Sequence, residues 1–133
     1  MGLMQLSKMF NEKRNRVKDF DLCPASCITY CEKLIGPDPQ DCQELSSYYA
    51  GGGRFTIEPK QYTVWEYGTC RVIQFNRLES TNQKISYCFD KHHWAGVVDH
   101  LSSRCGAKHG SRGGSCYFYD SLHFSTITLE RVV

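Results

Sequence analysis

The sequence holds no apolar run near the ~20 residues that a membrane-crossing helix requires, so it offers no span to read. No Asn-x-Ser/Thr triplet occurs, which removes N-glycosylation as a surface marker. An excess of one charge is missing too. Sixteen Lys and Arg against fourteen Asp and Glu leave a net charge of +2, too little to imply a nucleic-acid binder by composition alone. The first ten residues, Met1 to Phe10, lack both a continuous apolar stretch and a small-residue cleavage site, and do not read as a secretory leader.

Cysteine, in contrast, is abundant. Cys23, Cys27, Cys31, Cys42, Cys70, Cys88, Cys105 and Cys116 make eight in 133 residues. Chains kept in a reducing compartment rarely carry so many without a metal or redox use. An even, dispersed set reads as up to four disulfides and hence as a secreted, extracellular protein whose leader has been removed. Eight cysteines allow 105 pairings, among which the sequence does not choose. The length suits one domain with a real core, so the bonds would reinforce a fold rather than replace one.

Residues 1–20 carry no cysteine and contain the basic run Lys13-Arg14-Asn15-Arg16-Val17-Lys18. They read as a solvated arm, or as a pro-segment cut at the dibasic pair Lys13-Arg14. Residues 21–133 form the single cysteine-rich domain. Cys23, Cys27 and Cys31 are spaced four apart, as on one helix face, yet Ile28-Thr29-Tyr30 prefers extended structure. Asp38-Pro39 predicts a helix start, running through Cys42 and Leu45 towards Tyr49 and ended by Gly51-Gly52-Gly53. Strands are expected at 54–58, 61–67, 69–75 and 84–89. Asp90 is placed as the cap of a second helix over 91–104, with Trp94, Val97, Val98, Leu101 and Cys105 at helical period and Gly106 at its end. Final strands fit 115–120 and 123–133. Helix, strands, helix, strands predicts an α+β fold: two helices on an antiparallel sheet, an α/β-sandwich stabilised by disulfides.

Several segments together resemble a known family. Asp41-Cys42-Gln43-Glu44-Leu45, Gly51-Gly52-Gly53-Arg54-Phe55-Thr56-Ile57 and Tyr67-Gly68-Thr69-Cys70 fall in order, followed by Val97-Val98-Asp99-His100-Leu101 and Gly114-Ser115-Cys116. The set is similar to the fungal secreted necrosis-inducing effector family, related in fold to the virus-encoded killer toxin of smut fungi. The similarity spans roughly residues 31–130. It implies a secreted effector or toxin without catalytic machinery, acting on a host or on competing microbes (a virulence or antimicrobial role). The killer-toxin relation points to a cell-surface or membrane-protein target. Cys42, Cys70 and Cys116, with Cys31, would be the family framework, and Cys23, Cys27, Cys88 and Cys105 additional staples. No cofactor is called for.

Other chemistries need weighing. His92, His93, His100, Cys105, His109, Cys116 and His123 offer zinc-type donors, but no cysteine knuckle occurs in that stretch, and adjacent His92 and His93 would point about 100° apart on a helix. We assign no metal. A secreted ribonuclease-like hydrolase is the alternative class: Glu58 or Glu66 as base, His92 or His123 as acid and Arg71 or Arg77 as phosphate clamp, although nothing in their spacing selects a trio. The loop after the second helix is the preferred binding candidate, because Arg104, Lys108, His109 and Arg112 crowd among glycines whose open amides suit anionic partners. A solvated loop with incidental charge is the plain alternative. Tyr48, Tyr49, Tyr62, Trp65, Tyr67, Tyr117, Phe118 and Tyr119 cluster near strands, as core or as a partner-binding face.

Overall fold

The structure, a computed structural model, describes residues 19–77, 83–107, 112–118 and 125–132. Lys13 and Arg14, the proposed processing pair, lie outside the described residues.

Helix α1, Pro39–Tyr49, forms where its start signal places it. Asp38 is extended, its carboxylate accepts the Gln40 N–H at 3.0 Å, and Pro39 occupies the first turn, where no amide donor is needed. Cys42, Leu45 and Ser46 face inward. Helix α2 spans Trp94–Leu101 and passes directly into a π-helical turn, Ser102–Ala107. It therefore starts later than its sequence signal. Asp90 does not cap it: its carboxylate binds the His92 N–H at 2.9 Å and His93 Nδ1 at 2.7 Å, closing a turn ahead of the helix. The π-turn widens the last loop, and its Cys105 is bonded to Cys31.

Eight strands are described: β1 Phe20–Asp21, β2 Cys27–Ile35, β3 Arg54–Ile57, β4 Tyr62–Tyr67, β5 Cys70–Asn76, β6 Ile85–Cys88, β7 Arg112–Phe118 and β8 Ser125–Arg131. They form two sheets rather than one. The larger is antiparallel, in the order β2-β7-β8-β5-β4. The smaller, β1-β6-β3, contains a parallel pair, β1 with β6. The segment left open by the four-residue cysteine spacing is strand β2. In a strand that spacing also keeps Cys27 and Cys31 on one face, because side chains alternate with period two.

Both helices cover one face of the large sheet. Val72, Cys70, Ile127, Leu129, Cys116 and Phe118 point from the strands into that layer and are buried. The small sheet joins it through aromatic side chains: Phe55 meets Trp65 edge-on at 5.1 Å between centroids, and Tyr87 meets Phe118 at 5.3 Å. Trp94, wholly buried, touches Tyr49 of α1, Trp65 of β4 and Phe89 beyond β6.

All eight cysteines are paired: Cys23–Cys88, Cys27–Cys116, Cys31–Cys105 and Cys42–Cys70. The expected division into a framework and extra staples does not hold. Cys27–Cys116 and Cys31–Cys105 each join one cysteine of either group. The physical reason is that β2 lies beside β7 and close to the π-turn, so its two inward cysteines meet whichever sulfurs those elements bring.

The Cys42–Cys70 bond has a polar companion. The Asp38 N–H donates to Thr69 Oγ1, which donates to Asp41 Oδ2, and the Thr69 N–H donates to the same oxygen, each at 2.8 Å. Gly68, at φ 57°, makes this approach possible: a Cβ there would meet Asp41 Oδ2 at 2.5 Å. The Thr69 amide and hydroxyl hold the Asp41 carboxyl below its usual range.

Two outcomes follow. The double variant Cys42→Ala/Cys70→Ala should lose about 3–4 kcal/mol in guanidinium unfolding, the loop-closure magnitude for a separation of 28 residues. An unchanged midpoint would contradict the assignment of this bond. A carboxyl depressed in the folded state stabilises it above the unfolded-state value of about 3.9, and that stabilisation is lost as pH falls through the folded-state value. Asp41→Asn should therefore lower the melting temperature at neutral pH and make the loss between about pH 4 and pH 2 shallower, measured by thermal melts across pH.

Candidate binding surface

The face of the large sheet turned away from the helices carries an unusual load. Strand alternation puts Ile28 and Tyr30 of β2, Tyr117 of β7, Ile73 and Phe75 of β5, and Tyr62 and Val64 of β4 on that side. Five of them are well exposed: Ile28 and Tyr30 at 51%, Tyr62 at 60%, Val64 at 41% and Tyr117 at 37%. Two apolar clusters exposed on one face, one on β2–β7 and one on β4–β5, are the kind of surface that marks an interaction site.

The rings occur in two pairs. Tyr30 and Tyr117 pack edge-to-face at 5.5 Å, held by β2–β7 pairing, and Tyr62 lies against Phe75 at 5.4 Å, held by β4–β5 pairing. Between the pairs runs a polar row from β8 and β7, in which Ser115 and Thr128 share a hydrogen bond at 2.9 Å. With strands about 4.8 Å apart, the face is about 20 Å across. It is not flat. A shallow depression of about 510 Å³ is lined by Tyr62, Val64, Glu66, Arg71, Ile73 and Phe75. A second, of about 390 Å³, lies towards β2, among Glu32, Ile35, Gly113, Thr128 and Glu130.

The charges on this face are fixed in place. Arg71 donates to Glu66 at 2.7 Å and to Glu130 at 3.2 Å, a two-sided clamp across three strands that favours the charged guanidinium. Arg77 lies over the Phe75 ring, 4.4 Å from its centroid, and donates to Thr126 Oγ1 at 3.3 Å. The face thus presents ordered aromatic rings with locally compensated charge. That chemistry fits a protein partner better than a polyanion.

Among the described residues, those expected for ribonuclease-type chemistry are not brought together. Glu66 and Arg71 occupy the outer face, whereas His92 lies in the turn before α2, on the helix-bearing side. Glu58 is exposed and 4.0 Å from Lys84, and Arg77 is committed to Phe75 and Thr126. His123 lies outside the described residues. Cys88, Asp90 and His93 group closely enough for a metal, but the Cys88 sulfur is bonded to Cys23, which leaves two donors. Of the basic-loop candidates, Arg104 is exposed in the π-turn and Arg112 is exposed at the start of β7 opposite Ile35. Lys108 and His109 lie outside the described residues.

The outer face was partly within reach of the sequence. The alternation Tyr62, Val64, Glu66 against Thr63 and Trp65 marks two-sidedness, but only the sheet order brings Tyr30 and Tyr117 to the same side as Tyr62. Comparison of the chain with protein-family models and with curated protein sequences gives no match.

Proposed function

We propose that this chain is a secreted effector or toxin of fungal type that acts by binding a host or competitor target, without catalysis of its own. The observation that carries this reading is the open aromatic face of the large sheet, described above. Four disulfides support it by fitting an oxidising compartment. No helix among the described residues is long and apolar enough to cross a membrane. The segments similar to the necrosis-inducing effector family add the target class: a cell-surface or membrane protein of a plant or a competing microbe.

In this reading the face binds through its two ring pairs. Tyrosine presents a large rigid surface with a polar tip at little entropic cost, which is why it is enriched in interface cores. Edge-to-face pairing already fixes Tyr30 against Tyr117, so less side-chain freedom is lost on binding. The exposed Arg104 and Arg112 lie at the end of the molecule where the π-turn meets β7, and would act at the rim.

The test compares two variants of the oxidised protein on plant and yeast cells with labelled protein. Tyr30→Ser/Tyr117→Ser should reduce cell binding at least about tenfold, because both rings would be central anchors. Arg104→Glu/Arg112→Glu should change it less and mainly in its salt dependence. Equal binding by a correctly folded tyrosine variant rejects the face as the site. Robust RNA cleavage by the unmodified protein, lost on His92→Gln, rejects the non-enzymatic reading.

A further inference from the structure

On the opposite side of the large sheet lies a feature that the proposed function does not use. A cleft of about 420 Å³ opens between the flank of α2 and the β2–β7 edge. Its size is within the range of small-molecule sites. Beneath it lie Phe118, Tyr87 and the Cys27–Cys116 disulfide, with the two rings and Cys116 buried. Ser26 and Thr29 line one side, and Lys91, His92, His93 and His100 line the other. None of the lining residues is acidic.

The wall that carries Lys91 and the histidines is a constructed feature. The turn 90–93 is closed by Asp90, whose carboxylate accepts from the His92 N–H and from His93 Nδ1. An ionised carboxylate can only accept, so Nδ1 carries the hydrogen and the orientation of the His93 ring is fixed. His93 also meets Tyr87 edge-on at 6.0 Å. Gly96 lets the turn fold back on the helix: a Cβ there would stand 2.3 Å from the Lys91 carbonyl oxygen. Glycine inside a helix costs about 1 kcal/mol against alanine, and here the close approach of residue 91 accounts for it. Burial keeps the Tyr87 phenol protonated, so any hydrogen bond from it would be donated.

We infer that this cleft is a binding site for a small anion carrying a phosphate or carboxylate group. Lys91 would hold the anionic group by charge, and the imidazole N–H groups with the Ser26 and Thr29 hydroxyls would donate to it. Among the lining residues Lys91 carries the fixed positive charge; Asp90 is bonded to His93, and Asp21 of β1 interacts electrostatically with the same ring. Ser26 lies just before β2, Cys27 and Thr29 come from β2, and Tyr87 and Phe118 come from β6 and β7.

NMR titration of the oxidised protein with inorganic phosphate, phenyl phosphate and benzoate tests this and distinguishes the anion sources. Saturable shifts are expected at the His92, His93 and His100 rings and at the Ser26 and Thr29 amides. Inorganic phosphate should bind at least as tightly as phenyl phosphate or benzoate, because the rings beneath the cleft are buried and offer an aryl group no face. Lys91→Gln/His92→Gln, both at exposed turn positions, should weaken binding about tenfold. Lys60→Gln, which removes an exposed charge outside the cleft, should leave it unchanged. Shifts that never saturate, or equal weakening by both variants, overturn the inference. Because the outer face plays no part, failure here would leave the proposed function standing, and the reverse holds too.

Discussion

Trp94 sits where α1, α2 and both sheets meet, and the rest of the molecule is arranged around its burial. The large sheet must be covered by helices of only eleven and eight residues, about 16 and 12 Å long, against a face about 20 Å across. Bulky rings make up the shortfall: Tyr49, Trp65 and Phe89 close around the Trp94 indole, with Phe55 bridging Trp65 and Phe89. Fully burying such a side chain contributes a few kcal/mol, and the aromatic contacts add to it. Part of that gain is offset. The indole N–H finds no hydrogen-bond partner among the described residues.

The disulfides complete what the short helices leave undone. Cys42–Cys70 pins α1 to β5, Cys31–Cys105 ties the π-turn to β2, and Cys23–Cys88 fastens the start of the domain to the small sheet. With the helical side secured in this way, no helix among the described residues covers the other face. The open aromatic surface is thus a consequence of the same economy of chain. The arrangement divides the domain into a closed side bearing a polar cleft and an open side bearing rings.

Local signals were legible in the sequence and long-range ones were not. Asp38-Pro39 and the triple glycine fix α1 because capping and φ preferences act within a few residues. The β4–β5 hairpin was legible for the same reason, through Gly68. Asp90 misled, since a carboxylate ahead of a helical pattern serves equally well as an N-cap or as the acceptor that closes a turn, and only packing decides between them. The sheet order, the parallel β1–β6 pair and the cysteine partners depend on contacts between distant segments, which periodicity does not encode. For the same reason the candidate surface moved. A loop rich in cations is conspicuous in one dimension, whereas Tyr30, Tyr62 and Tyr117 become neighbours on one face only through the strand order.

The position of β2 has a consequence for how the protein must be made. Among the described strands this one pairs with β7 alone, and its cysteines bond to residues 74 and 89 positions later. Cys23, just ahead of it, waits for a partner 65 positions on. During synthesis these three thiols emerge early and have no correct partner until most of the domain has been translated. Only Cys42 and Cys70 can close over a short interval, 28 residues apart. The cell that produces it must therefore hold three early thiols unpaired, or reshuffle wrong pairings, until Cys88, Cys105 and, with β7, Cys116 arrive in turn.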